Sequence, residues 1–240
     1  MRINRYLAQA GVASRRASEE LVTAGKVKIN GRVIRDLATN VADSDRVEVS
    51  GRPVKAALEY VYLVANKPEG MVTTMRDPEG RRTVTDMIPR GMPRVVPVGR
   101  LDYTTSGVLL LTNDGELAHK LTHPRFGVTK TYRASLRGHI SPEALARLQR
   151  GVGLEDGTTA STRVRVVSTS RQHSVVDITL HEGRNRQVRR MFEAVGYPID
   201  SLVRLRFGPI SLADLGIGQT RELTERELSA LRREPEEHET

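Results

Sequence analysis

Apolar residues in the first 50 positions recur at helical spacing and then at strand spacing. Ile3, Leu7 and Ala10 fall on one helical face, which Gly11 terminates. Ser14 suits the N-cap of a second helix carrying Ala17, Leu21 and Val22 and closed by Gly25. Residues 26–30 then alternate charged and apolar like a half-buried strand, and Asn30-Gly31 forms a strong hairpin signal. Residues 32–34 and 46–49 supply further short strands, so residues 1–50 read as a compact α/β unit. Gly51, Pro53 and two alanines make residues 51–59 a linker.

A larger body follows over residues 60–231. It opens with an apolar strand at 60–65, bounded by Lys67-Pro68 and Gly70, and continues through 83–88 and 94–98. A Gly/Ser/Thr-rich stretch leads into the apolar run Val108 to Leu111 and an Asn-Asp-Gly turn at 113–115. The spacing then predicts a helix at 116–121, a strand at 130–136, and a helix at 141–148 with Ser141 as cap and Pro142 at its first position. Strands at 161–168 and 174–180 precede a turn at Gly183 and a helix over 186–195. Many strands, few helices and no regular βαβ repeat argue for an α+β fold on a largely antiparallel mixed sheet. Residues 232–240 read as an acidic tail.

Composition narrows the partners. The 240 residues carry a formal charge of +9, which calls for a polyanion: nucleic acid or an anionic membrane surface. No apolar stretch reaches the ~18 residues that suggest a bilayer span, and the first residues lack the apolar region of a secretory signal. The absence of cysteine excludes disulfide and thiol chemistry and fits a reducing cytoplasm. A cytoplasmic, non-membrane, nucleic-acid-binding protein, expected as a monomer, is the reading that remains. The charge is uneven: residues 1–55 hold eleven Lys/Arg against six Asp/Glu, and 184–206 hold six Arg against two acids. Residues 221–240 are net −3 and are expected to stay solvated.

The candidate chemistry centres on residues 99–115, GRLDYTTSGVLLLTNDG. Asp102 stands beside Arg100 in a loop that the following strand can hold at one point in space. Two further segments, Lys130-Thr-Tyr132 and residues 181–192 (HEGRNRQVRRMF), add an aromatic and a dense set of arginines. Together these segments resemble the signatures of the RsuA/RluB-type rRNA pseudouridine synthases, the Arg-Asn-Arg form of the third favouring the RluB-like branch. The resemblance implies that Asp102 is the active carboxylate, that Tyr132 stacks on the target base, and that Arg189 pairs with Asp102. It also implies that Leu202, or Val203 by the same spacing, packs under the base, with Arg204 nearby. Arg100 either fills the gap left by an extruded uridine or makes a salt bridge that stiffens the loop.

Residues 1–50 are similar to the S4 RNA-binding domain through Arg2-Ile-Asn4, Leu7, residues 14–17 (SRRA) and residues 25–31 (GKVKING), with Asn4 where Asp is common. Arg5, Arg15, Arg16, Lys28 and Asn30 are the RNA-binding candidates there; Arg184, Arg186 and Arg190 are those of the larger body. Such contacts position RNA without reading its sequence.

The implied reaction isomerises uridine in rRNA, most readily large-subunit (23S) rRNA, with small-subunit (16S) rRNA still open. Asp102 would act as nucleophile or as base at C2′. Neither step needs a cofactor or metal, and His119 and His123 at i, i+4 lack a third ligand. The alternative is a non-catalytic S4-type rRNA-binding or ribosome-assembly protein, which would need neither Asp102, Tyr132 nor Arg189.

Overall fold

The computed structural model describes residues 1–55 and 59–233. The chain forms two compact units, the first from Met1–Val61 with Gly91–Val95, the second from Tyr62–Arg90 and from Val96 onward.

In the first unit, helices α1 (Ile3–Gln9) and α2 (Arg15–Thr23) pack on a four-stranded antiparallel sheet. Its strands are β1 (Val27–Ile29), β2 (Arg32–Ile34), β3 (Val47–Val49) and β4 (Arg52–Val54), in the order β2-β1-β3-β4. Ile3, Leu7, Val22, Val27, Val41 and Val47 form its core. The Ser14 hydroxyl caps α2 by accepting from the Ala17 amide at 3.2 Å. Asn30 and Gly31 both take positive φ, 51° and 79°, as the β1–β2 turn requires.

Strand β4 corrects the expected linker. Ser50 (φ 52°) and Gly51 (φ 79°) repeat the same turn device, and Val47–Val49 pairs with Arg52–Val54. Pro53, which argued for a linker, is tolerated because β4 lies at the sheet edge, where a missing N–H need not break a ladder. Residues 56–58 of that segment lie outside the described residues.

The second unit is built on a nine-stranded mixed sheet. Its strands are β5 (Tyr62–Lys67), β6 (Val96–Val98), β7 (Thr105–Thr112), β8 (Lys130–Arg137), β11 (Arg163–Thr169), β12 (His173–Leu180), β13 (Ile199–Phe207), β14 (Ile210–Ser211) and β15 (Thr220–Glu222); β9 (Gly153–Leu154) and β10 (Gly157–Thr158) form a separate hairpin. The main path runs β11-β12-β8-β13-β7-β5-β15, with β6 on β7 and β14 on β13. Every pair is antiparallel except β7–β13. The helices are α3 (Gly115–Thr122), α4 (Pro142–Arg150), α5 (Gln187–Ala194) and α6 (Glu225–Arg233). Helices α4 and α5 cover β8 and β12 through Leu148, Met191, Phe192, Val176 and Ile178. Helices α3 and α6 cover β7 through Leu117, Leu121, Leu228, Leu231, Val108 and Leu110.

Helix α6 corrects the reading of residues 221–240 as a solvated acidic stretch. Leu228 and Leu231, at helical spacing, are buried in the second core, and Arg232 and Arg233 finish the helix rather than begin a tail. Residues 234–240 lie outside the described residues. Strand β15 also escaped the sequence reading: its three residues, Thr-Arg-Glu, carry no apolar signal, and they form a strand because β5 offers an open edge.

The single parallel pairing rests on Gly107. Its φ is +110°, and a Cβ there would stand 2.2 Å from the Arg204 carbonyl oxygen and 2.7 Å from its nitrogen. Arg204 pairs with Gly107 across β13–β7, so backbone occupies the space a side chain needs. Gly107→Ala is expected to destabilise the chain by roughly 2–5 kcal/mol, through an unfavourable φ and overpacking against backbone. A urea-unfolding shift below about 0.5 kcal/mol would show that the strands separate easily, contrary to this account.

Candidate active site

Asp102 lies in the turn between β6 and β7, half-buried, and the surrounding backbone is tied from many sides. Five successive carbonyls accept from five different donors. The Thr73 hydroxyl donates to Leu101 (2.7 Å), the Thr105 amide to Asp102 (3.1 Å) and the Gly70 amide to Tyr103 (2.9 Å). The Arg189 guanidinium donates to Thr104 (2.7 Å), and the Lys67 ammonium to Thr105 (2.9 Å). The Asp102 carboxylate accepts no hydrogen bond from the described residues. A loop held this way presents its one carboxylate with little freedom to move and with its acceptor oxygens open.

Lys67 ends β5 and is fully buried, with a second bond to the Pro68 carbonyl at 2.8 Å. Burial pushes its pKa down to about 8; Glu69 and Asp102 oppose that fall, and Arg204 adds to it. Arg189, on α5, also donates to the Ile199 carbonyl at 3.3 Å. Burial lowers its pKa, Arg186 reinforces the shift, and the charges of Asp102, Glu69 and Glu193 resist it. The ion pair implied for Arg189 and Asp102 is not formed among the described residues. The guanidinium instead donates to the carbonyl two residues beyond Asp102 and to that of Ile199. Its charge still acts on Asp102 through space.

Asp102 and Arg189 line a cleft of about 160 Å³. Arg100 and Asp102 line it from the loop, Tyr132 and Lys130 from β8, Leu202, Arg204 and Phe207 from β13, and Arg184, Arg186 and Arg189 from α5 and the turn before it. Thus every catalytic and substrate-binding candidate read from the larger body meets at one place. Leu202 lines the cleft and Val203 does not, as alternation along a strand requires. Arg100 is exposed and makes no ion pair among the described residues, so the stiffening salt bridge is absent. Arg204 is 2 % exposed; its Nε donates to the Val108 carbonyl (2.7 Å) and its Nη1 to the Tyr132 hydroxyl (3.5 Å). Its Nη2 has no partner, an expensive state for a buried donor and one that a bound oxygen would relieve.

Lys67 and Lys130 were not singled out by the sequence reading. Lys130 donates to the Val128 carbonyl (2.9 Å) and lies 5.6 Å from the centre of the Phe207 ring. Burial, with repulsion from Arg204, brings its pKa down to about 8. A lysine closing an otherwise apolar strand was the available signal for Lys67, and its place in the Lys-Thr-Tyr motif was the signal for Lys130.

Other expected RNA contacts divide by their partners. Arg186 is exposed and unpaired among the described residues. Arg184 is engaged by the Asp156, Gly157 and Thr158 carbonyls and by Glu182, and Arg190 makes two 2.9 Å bonds to Asp156. Both brace the β9–β10 hairpin rather than stand free. In the first unit Arg15, Arg16 and Lys28 are exposed and Arg5 is half-buried. Asn30 also fastens its turn: its amide donates to Asp45 (2.8 Å) and its side-chain oxygen accepts from the Arg46 amide (2.9 Å).

Lys67 gives a pH signature. Its pKa moves from an ordinary 10.5 when unfolded to about 8 when folded. Between those values the unfolded chain holds more protons, so stability from this group rises with pH across that window and is flat below it. From pH 8 to 10.5 the natural chain is expected to gain up to about 3 kcal/mol on Lys67→Met in urea unfolding. Parallel profiles for the two chains would show that Lys67 is not a buried cation.

Comparison with known proteins agrees with this geometry. Residues 61–194 match the RNA pseudouridylate synthase family, and residues 1–56 match the S4 domain. The chain is 46 % identical over 233 residues to the ribosomal large subunit pseudouridine synthase B of Bacillus subtilis, covering 96 % of this chain and 95 % of that one. It is 43 % identical over 233 residues to an uncharacterized RNA pseudouridine synthase of Aquifex aeolicus, covering 96 % and 93 %. A crystal structure of a pseudouridylate synthase superposes with a TM-score of 0.70 at 27 % identity, covering 96 % and 99 %. An S4 domain ahead of the catalytic sheet, with the three motifs converging on one cleft, places this chain in the RsuA/RluB-type family of RNA pseudouridine synthases.

Proposed function

We propose that the chain isomerises a specific uridine of large-subunit ribosomal RNA, with Asp102 acting on the ribose. The observation that carries this reading is the fivefold-tied loop, which offers a free carboxylate to the cleft shared by Tyr132, Leu202 and Arg204. The large-subunit assignment is supported by the name of the Bacillus subtilis relative, whose likeness runs through nearly all of both chains.

The reaction breaks the N1–C1′ bond, turns the uracil, joins C5 to C1′, removes the C5 proton and returns a proton to N1. Its atoms balance without oxidant, phosphate donor or metal. Asp102 either attacks C1′ or removes the C2′ proton to give a glycal. Both routes use the Asp102 carboxylate, whose charge interacts with those of Lys67 and Arg189. Tyr132 is placed to stack on the base and to accept the C5 proton, and Leu202 to pack beneath it. The unpartnered Nη2 of Arg204 suits a uracil carbonyl. Arg100, free at the cleft, can fill the gap left by a flipped nucleotide.

Arg15, Arg16 and Lys28, with Arg5, form the docking set of the S4 unit, and Arg186 that of the catalytic unit. The same reading puts the protein in the cytoplasm as a monomer, a location that the cysteine-free composition suits.

The direct test is tritium release from rRNA carrying 5-³H-uridine, with large- and small-subunit transcripts assayed separately. Release is expected from the large-subunit RNA, and Asp102→Asn is expected to reduce it by at least about 10³-fold. Release from small-subunit RNA alone would reassign the substrate, and an undiminished Asp102→Asn rate would remove Asp102 from the chemistry. Reversing two charges in the S4 unit, Arg15→Glu with Arg16→Glu, is expected to raise KM for the same transcript about tenfold. An unchanged KM would take these arginines out of the docking set.

A further inference from the structure

The sheet of the catalytic unit carries a second row of groups that the reaction does not use. In register across four strands stand Arg163 of β11, Thr179 of β12, Thr131 of β8 and Arg206 of β13. They line a groove of about 870 Å³ across the strand ends, together with His181. The row next to it on the same face is Arg165, Asp177 and Arg133, and there the charge is closed internally. Asp177 takes Arg165 at 2.7 Å and Arg133 at 2.8 and 3.0 Å.

The groove row has no such closure. Neither Arg163 nor Arg206 has a carboxylate or other polar partner among the described residues, and both are exposed. Between them the Thr131 and Thr179 hydroxyls bond each other at 2.9 Å, which uses one hydroxyl proton and leaves the other to donate outward. Arg206 reaches this face only because the β13–β8 register shifts between Arg204 and Arg206, a bulge that re-aims one side chain. Arg204, two residues earlier, faces the catalytic cleft.

Cleft and groove are therefore two sides of the same strand ends. Lys130 and Tyr132 line the cleft while Thr131 between them lines the groove, and Leu180 lines both. A chain whose nucleotide sits in the cleft has a short path over Leu180 to the unpaired arginines. Arginine forks and a donating hydroxyl, with no acidic group in the row, match the oxygens of a phosphodiester backbone.

We propose that the Arg163–Thr179–Thr131–Arg206 row is a second RNA site, holding the phosphate backbone of the strand that flanks the target uridine. The proposal rests on the RNA-modifying reading of the cleft and extends it to the other face of the sheet.

The test uses the full chain with Arg163→Gln and Arg206→Gln together, compared with Arg171→Gln, an exposed and unpaired arginine in the turn between β11 and β12. The readouts are Kd for the rRNA transcript against salt, and KM in the tritium assay. Loss of two single-strand phosphate contacts is expected to flatten the log Kd–log salt slope by about 1.4 and to weaken binding about tenfold at moderate salt. Arg171→Gln is expected to leave the slope unchanged, and Arg163→Lys with Arg206→Lys to restore it. An unaltered slope and KM in the double Gln variant, while the natural chain still releases tritium, would overturn the groove and spare the catalytic reading. A flattened slope with no tritium release from the natural chain would do the reverse. Unaltered RNA binding with lost binding of polyglutamate would also overturn it, in favour of an acidic polypeptide on this face.

Discussion

Two buried cations clamp the loop that carries Asp102, and the rest of the catalytic unit is arranged so that they can. Lys67 comes from β5 and Arg189 from α5, elements far apart in sequence, yet they grip the Thr105 and Thr104 carbonyls, adjacent along the chain. Neither bond forms unless β5 lies beside β7 and α5 packs against β8 and β12. Burying a cation is costly unless hydrogen bonds and nearby charge compensate it. Here backbone oxygens and Asp102 supply that compensation. The same groups thus hold the loop in place and interact with its carboxylate through space.

That arrangement explains why one parallel strand pair sits in an otherwise antiparallel sheet. Strand β13 runs alongside β7 so that Leu202 and Arg204 rise next to the loop that precedes β7, and Gly107 removes the side chain that would hold them apart. The geometry also sorts the arginines that give the protein its charge. Arg133, Arg165, Arg184 and Arg190 are neutralised by nearby acids and stiffen the scaffold. Arg100, Arg163, Arg186 and Arg206 are left without such partners among the described residues. Net charge alone would have counted these two groups as equivalent.

Much of this was legible in the sequence. Long, periodic elements such as α4 and β12 declared themselves, because burial imposes the spacing that reading relies on. Asp102, Tyr132, Arg189 and Leu202 were found through ordered motifs, and Arg100 and Arg204 beside them, and the fold brings all six to one cleft. What escaped had local chemistry pointing elsewhere. Pro53 hid β4, whose position at an edge makes proline harmless. The net negative charge of 221–240 drew attention away from the two leucines of α6, and Thr220–Glu222 became a strand only through its neighbour. Asn30 carries a turn-forming side chain whose bonds to Asp45 and Arg46 no pattern discloses. Lys67 at the end of a strand was legible as unusual, but its sequence alone does not say whether its ammonium ends in water or on a carbonyl.

The pairing of β15 with β5 has a consequence for how the protein is made. Ala65 waits for Thr220, and until that partner leaves the ribosome the outer edge of β5 is bare. A growing chain can therefore display its S4 unit, able to grasp RNA, well before the sheet behind Lys67 is complete. Pairings between segments so distant in sequence are slow to form and leave sticky edges exposed meanwhile. Newborn copies thus carry an incomplete catalytic sheet for at least as long as residues 66–222 take to be made and folded.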